Sequence, residues 1–448
     1  MGSLLDGQRS RPPRARTLAA ALATSFGTCA FLAAPNVARA HVQDVTNCDD
    51  SGAGSLRATV AAAASGDTID FSTLSCGRIT LTSGAIAVTQ DDLWLQGPGA
   101  DVLTIDGYYG DRVFRHTGTG QLTMIDVTVA RGKYQSDTNP VGGCIASSGD
   151  VQLISAVVTG CFVRGTGDAV ASGGGVDAAG NLSMLGTRLT ANSVTGVGTA
   201  ALGSARGGGA TAHGSLYMKY DTISDNTAYA DINHGSGAGG LQAFGYVSIG
   251  YSTISGNYAQ FFGGVAIDGA VAGVITNSTI SGNRAHRISG VYTQAPLTVS
   301  NSTIAFNLSE YGSAALFSQV DIEIQSTIIS GNETVAGGVG PDDLAGADGI
   351  VVTGANNLIV ASQIPVPPDT ITACPHLMPL DYNGGVMPTH ALSADSVAID
   401  HGNNALYLDT DQRGADRVWA AAADIGAFEW NGSPGFGFRG GFEPVCDD

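Results

Sequence analysis

The sequence predicts an all-β chain, a right-handed parallel β-helix closed by a short N-terminal capping helix and a small C-terminal capping domain. Three observations predict it. First, one block recurs: LTANS from Leu189, TISDN from Thr222, TISGN from Thr253 and Thr279, TIAFN from Thr303, IISGN from Ile328, and a degenerate VTGC from Val158. Repeats of 20–50 residues mark a solenoid. Second, an apolar pair sits seven and five residues before the central apolar residue of most blocks, as with Leu182 and Met184 before Leu189, or Val247 and Ile249 before Ile254. A third contact lies thirteen before, at Ile145, Val176, Ala210, Leu241, Val291 and Leu316, whereas Val265 comes two residues early and Gly273 with Ile275 matches weakly. Third, spacing within each patch is two, the strand period, and no 3.6-residue period runs through the middle of the chain. Each unit is therefore read as three short strands joined by corners, stacked in parallel on the next unit about 4.8 Å away. The crossover rule sets the hand.

Residues 1–40 read as a signal peptide. Arg9, Arg11, Arg14 and Arg16 form a basic leader, Leu18–Ala34 is apolar, and Ala38-Arg39-Ala40 is an A-x-A cleavage site. The apolar run is too short and too interrupted for an anchor, and no later segment is long and apolar enough to span a bilayer as a helix. The mature chain is thus expected to begin at His41, exported to the medium or outer cell surface. Cleavage removes five Arg and one Asp, which takes the formal charge from −19 to −23. With only Lys133 and Lys219 as lysines, such a surface repels nucleic acid.

Six of the seven cysteines survive cleavage, an even number suited to an oxidising compartment. Cys48–Cys76 would bracket the N-terminal segment, Cys144–Cys161 would close one coil, and Cys374–Cys446 is what remains. No C-x-x-C spacing points to zinc or redox chemistry, and no cofactor or metal is expected.

Residues 41–78 form the N-terminal cap. Ser55 is placed to cap a short helix running into the Ala-rich stretch ending at Ala64, which would cover the first coil, since open ends of a β-helix need covering. Ser55-Leu56-Arg57-Ala58 resembles the core of the CSLREA-type N-terminal motif of secreted bacterial β-helix proteins. Thr59-Val60 replace that motif's next positions.

The solenoid is read over 79–355. Asn192, Asn226, Asn257, Asn283, Asn307 and Asn332 end successive units. Asn tolerates the left-handed backbone of a tight corner, and stacked amides can hydrogen-bond as a ladder. Paired glycines such as Gly174-Gly175 and Gly208-Gly209 open the strand that follows. They are no phosphate loop, because neither Lys-Ser/Thr nor a helix pattern follows.

Residues 356–430 carry Asn356-Asn357-Leu358-Ile359, Asn383-Gly384-Gly385, Pro388-Thr389-His390-Ala391-Leu392, Ala398-Ile399-Asp400, Asp411-Gln412-Arg413-Gly414 with Arg417, and Asp424-Ile425-Gly426-Ala427-Phe428-Glu429. This order resembles the choice-of-anchor Q domain, which closes many exported β-helix proteins before a surface-attachment signal. The resemblance implies an extracellular or cell-surface protein and no particular reaction. The tail, 431–448, lacks the family's apolar helix and basic stop. Read from the residues alone, Asn383-Gly384 is a hairpin turn, and Arg413 and Arg417 would pair with Asp400, Asp411 or Asp424. Arg413 occupies the slot a calcium loop would give to an acid, so ion pairing is preferred to calcium.

Parallel β-helices include pectate lyases, polygalacturonases and other polysaccharide enzymes, but fold does not decide function. A glycosidase needs converging carboxylates. Asp49-Asp50, Asp91-Asp92 and Asp342-Asp343 fall in different parts of the chain. The Gly-His-Gly and Asn-Thr-Asp signatures of polygalacturonases are absent, and Lys219 has no acidic cluster beside it in sequence. No catalytic residue is assigned. The leading expectation is a non-catalytic adhesion or binding protein, with a polysaccharide lyase or glycoside hydrolase as the alternative and an envelope structural role as a third class.

Unit lengths vary, and the extra residues fall mainly between the corner Asn and the next Gly-Gly, so insertions project from one edge. Such an edge suits binding. It holds Tyr134, Arg164, Tyr229, Asp231, His234 and Glu310 besides seven residues from adjacent coils: Tyr258, Phe261, Phe262, Arg284, His286, Arg287 and Tyr311. These seven are the candidate ligand-binding residues. The expected partner is a glycan or another surface molecule, held by stacking and Arg hydrogen bonds. Packing of these side chains on the solenoid is the competing expectation.

Overall fold

The computed structural model describes residues 40–166, 169–197, 205–230, 237–269, 271–312, 315–335 and 343–432. Residues 1–39, Asp231, His234 and Cys446 lie outside them. The described chain is a right-handed parallel β-helix. Its strands form four long parallel sheets, of twelve, eleven, eight and ten strands among the described residues. One rung shows the path. The chain runs along the first sheet at Leu216–Lys219, turns into the second at Thr222–Ser224, passes to the third at Thr227–Ala230, and reaches the fourth at Leu241–Ala243. It then re-enters the first sheet at Val247–Gly250, in register with the rung before.

The third sheet corrects the three-strand unit. Lys133–Ser136, Phe162–Gly165, Ser193–Gly196 and Thr227–Ala230 are strands where the sequence reads as insertion. Their inward residues are small: Ala228, Ala230 and Ala259 are buried with Val163 and Val194 in a satellite core. Alanine carries almost no periodic hydrophobic signal, so this sheet was invisible to apolar spacing. The other patches meet in register. Leu189, Ile223, Ile254, Ile280, Ile304 and Ile329 stack in one column of the second sheet, fully buried in the main core. Val265 pairs with both Leu241 and Val291, so the offset lies in the turn after it and not in the strand.

Two corners recur, and each uses a left-handed residue. Between the first and second sheets these are Ser155, Gly186, Tyr220, Tyr251, Asn277, Asn301, Ser326 and Asn356. Between the second and third they are Ala191, Asp225, Gly256, Gly282, Phe306 and Gly331. The corner Asn is therefore not the left-handed residue; the residue before it is. The side chains of Asn192, Asn226, Asn257, Asn283 and Asn307 do something else. Each Nδ2 donates to the Oδ1 of the next Asn at 2.9–3.0 Å. Cys161 N–H donates to Asn192 at one end of this column, and Asn332 donates to Asp343 at the other. The paired glycines serve close approach: a Cβ on Gly174 or Gly208 would strike the carbonyl of the next rung.

The N-terminal end is closed by a helix. Helix Leu56–Ala62 is capped by Ser55, whose hydroxyl accepts from Ala58 N–H at 3.3 Å. Leu56 and Val60 are buried in the core. Arg57 donates to the carbonyls of Gly84 and Ala85 and to the Asp50 carboxylate, all at 2.7 Å. Disulfides join Cys48 to Cys76 and Cys144 to Cys161. Strands extend past 79–355 on both sides: Asp67–Asp70 pairs with Leu93–Gln96, and Leu358–Ile359 pairs with Ile328–Ser330. Both lie outside the recurrent block. No described helix is long and apolar enough to cross a membrane.

The C-terminal segment lies along the outer face of the second sheet. Gln412 donates to Thr253 Oγ1 and accepts from Thr279 Oγ1, Ser281 Oγ bonds His390, and Thr303 Oγ1 accepts from Ala427 N–H. Arg413 pairs with Asp411 at 2.7 Å. Arg417 is buried, donates to the carbonyls of Asp424 and Gly426, and pairs with Glu429 at 3.4 Å. Asp400 instead accepts from Ala421 and Ala422 N–H.

Candidate functional site

The third sheet brings part of the expected site together. Tyr258–Ala259 and Arg284–Ala285 are paired strands, with Tyr258 opposite Arg284. Alternation turns Ala259 and Ala285 into the core and leaves Tyr258 and Arg284 outward. His286, Glu310 and Tyr311 follow at the strand ends. His286 Nε2 lies 3.1 Å from the Tyr258 hydroxyl and 3.1 Å from Glu310 Oε2. Glu310 Oε1 accepts from Arg284 Nη2 at 2.7 Å and Nε at 3.1 Å. The rings of Tyr258 and Tyr311 meet His286 edge-on at 6.2 and 5.8 Å. Tyr311 is 76% exposed.

Glu310, an edge residue outside the seven candidates, joins the cluster together. Its carboxylate holds Arg284 and His286 in one geometry before any ligand arrives. Burial, with the Glu310 charge nearby, pushes the Tyr258 phenol above its usual pKa, so the hydroxyl keeps its proton. The cluster offers guanidinium donors, a carboxylate acceptor, a phenol and an open aromatic ring on a rigid sheet.

The remaining expected residues diverge. Phe262 stacks on Tyr292 at 4.1 Å, and Tyr292 on Phe317 at 6.3 Å, packing against Ala238, Ala266 and Ile288. Its ring face is consumed by this stack on Tyr292, which belongs to a strand of the fourth sheet. Phe261 lies against Arg287 at 5.2 Å, beside the cluster but not bonded into it.

No family model matches the chain, and no curated protein matches it. Among solved structures, the crystal structure of pectate lyase Pel9A aligns with a TM-score of 0.47 and 13% identity, covering 87% of this chain and 97% of that one.

A second polar group lies on the outer face of the fourth sheet. Asp177 accepts from Ser172 Oγ and lies 3.4 Å from His213 Nε2. His213 stacks on Phe244 at 5.7 Å, and Arg206 sits 5.7 Å from that ring. Gln242 donates to Asp268. The hydrogen bond to Asp177 raises the His213 pKa, and burial raises that of Asp268. Sequence spacing missed this group because its members come from different rungs, as with Asp177 and His213, 36 residues apart. Among the described residues, no group of three or more His, Cys, Asp or Glu is arranged to hold a metal ion.

Proposed function

We propose that this chain is an exported β-helix protein that binds glycans without transforming them, through Tyr258, Arg284, His286, Glu310 and Tyr311. The observation that carries the reading is the pre-organised donor–acceptor cluster beside the exposed Tyr311 ring. Sugar hydroxyls both donate and accept, and pyranose faces stack on aromatic rings, so a fixed carboxylate, guanidinium and phenol match that chemistry. The disulfides Cys48–Cys76 and Cys144–Cys161 and the leader sequence support export. The likeness of 356–430 to a choice-of-anchor Q domain supports an extracellular or cell-surface location. The test is a glycan array probed with the mature chain and with Tyr311→Ala and Glu310→Ala. Binding that both variants lose supports the reading; no binding, or binding that neither changes, overturns it.

A second reading, an extracellular glycoside hydrolase or lyase, draws on one observation. The fourth sheet carries Asp268, its carboxyl raised by burial, on the same outer face as Asp177 and His213. Reducing-sugar and unsaturated-product assays over a polysaccharide panel separate it from binding.

A further inference from the structure

The C-terminal hairpin and the solenoid flank an open cleft of about 350 Å³ that is separate from the Tyr258–Tyr311 cluster. Its floor is the second sheet, where Arg188 lies opposite Val157 on one side and Thr222 on the other. Asp101 lines it, as does Tyr382 from the turn between strands Leu377–Asp381 and Thr389–Leu392. Thr253 Oγ1 fixes that turn by donating to Pro388 O at 2.7 Å. Tyr220 closes the corner.

Tyr220 and Tyr251 depart from the pattern of their corner. They occupy successive rungs of the left-handed column, with φ +61° and +54°. Neighbouring rungs place Ser155, Gly186, Asn277, Asn301 and Ser326 there, residues that tolerate this conformation or are small. A bulky aromatic in that region is strained, and retained strain points to use. The two rings pack at 5.2 Å, with Lys219 Nζ 5.0 and 5.4 Å from them, so the Tyr220 ring is braced where it lines the cleft. Tyr220 and Tyr382 are 39% and 62% exposed. Arg188 meets Asp101 at 3.4 Å, with both side chains more than half exposed. Such a pair is weak, so its donors and acceptor remain open to a ligand.

We infer that this cleft binds a neutral oligosaccharide. Tyr220 and Tyr382 supply ring faces, Arg188 donates to sugar hydroxyls, and Asp101 accepts from them. The Asp101 carboxylate and the strongly acidic chain disfavour an anionic sugar. The volume falls within the range of small-molecule sites.

The test is calorimetric titration of the full mature chain with cellohexaose, xylohexaose, mannohexaose and hexagalacturonate. Tyr220→Asn removes the ring while suiting the left-handed backbone, and Tyr382→Ala alters an exposed turn; a melting curve confirms that each variant folds. The expected result is binding of at least one neutral hexasaccharide, weakened about tenfold or more by each variant. Tighter binding of hexagalacturonate, binding that neither variant changes, or no binding overturns the inference. Binding lost in Glu310→Ala but kept in both cleft variants also overturns it, while leaving the third-sheet site standing.

Discussion

Asn257→Ala is the sharpest perturbation of the stacked amides. Asn257 is fully buried. Its Nδ2 donates to Ile223 O and Asn283 Oδ1, both at 2.9 Å, and its Oδ1 accepts from Asn226 N–H at 3.0 Å and Asn226 Nδ2 at 2.9 Å. Alanine deletes all four bonds. At a net value of about 1 kcal/mol each, the loss is about 4 kcal/mol. Asn257→Asp separates the two halves of the effect. One carboxyl oxygen still accepts from Asn226, but the other faces two acceptors, Ile223 O and Asn283 Oδ1. That carboxyl is driven towards its protonated form, so its folded pKa rises above its unfolded value. A raised pKa means stability present below the unfolded pKa and lost as pH rises through the folded one. Urea unfolding of both variants at pH 4 and pH 8 measures this. Hydrogen exchange at Asn226 N–H reads the same loss locally, as about a thousandfold faster exchange in the alanine variant. An alanine variant within about 1 kcal/mol of the parent, or an aspartate variant with no pH slope, would refute the reasoning.

Three further predictions concern the closures. His390 is buried, and burial lowers its pKa from 6.5 to about 4. Met378 O can only accept, so Nδ1 carries the proton, and Nε2 accepts from Ser281. A depressed pKa gives stability present above pH 6.5 and lost as pH falls through 4, worth about 3 kcal/mol in all. Fluorescence of Trp419 and Trp430 should report undocking of the C-terminal segment over that window, and His390→Gln should flatten the transition. Arg417→Met leaves Glu429 buried without its cation and should cost about 3–5 kcal/mol, read as rapid proteolysis between 374 and 430 while the solenoid stays intact. Cys144→Ser with Cys161→Ser should lower stability by about 3 kcal/mol in urea unfolding, given the 17-residue separation; an unchanged midpoint would contradict this.

The apolar columns were legible in the sequence because large aliphatic residues recur at fixed intervals, and burial leaves no other place for them. The capping helix was legible through Ser55 and the run that follows. The third sheet was not, since Ala228, Ala230 and Ala259 signal weakly. Nor was the division of the candidate site. Glu310 binds Arg284 and His286 across a rung, while Phe262 is drawn into a stack with Tyr292; nothing in their spacing distinguishes the two outcomes.

The sequence by itself determined a parallel stack of strands, its register and its repeated corner, because period-two burial and a recurring block are local properties of the chain. Only the tertiary structure decided where the C-terminal segment lies, which corner residues turn left-handed, and which polar side chains meet. Those depend on contacts such as Gln412 with Thr253, 159 residues apart, and one-dimensional spacing does not encode which distant surfaces fit together.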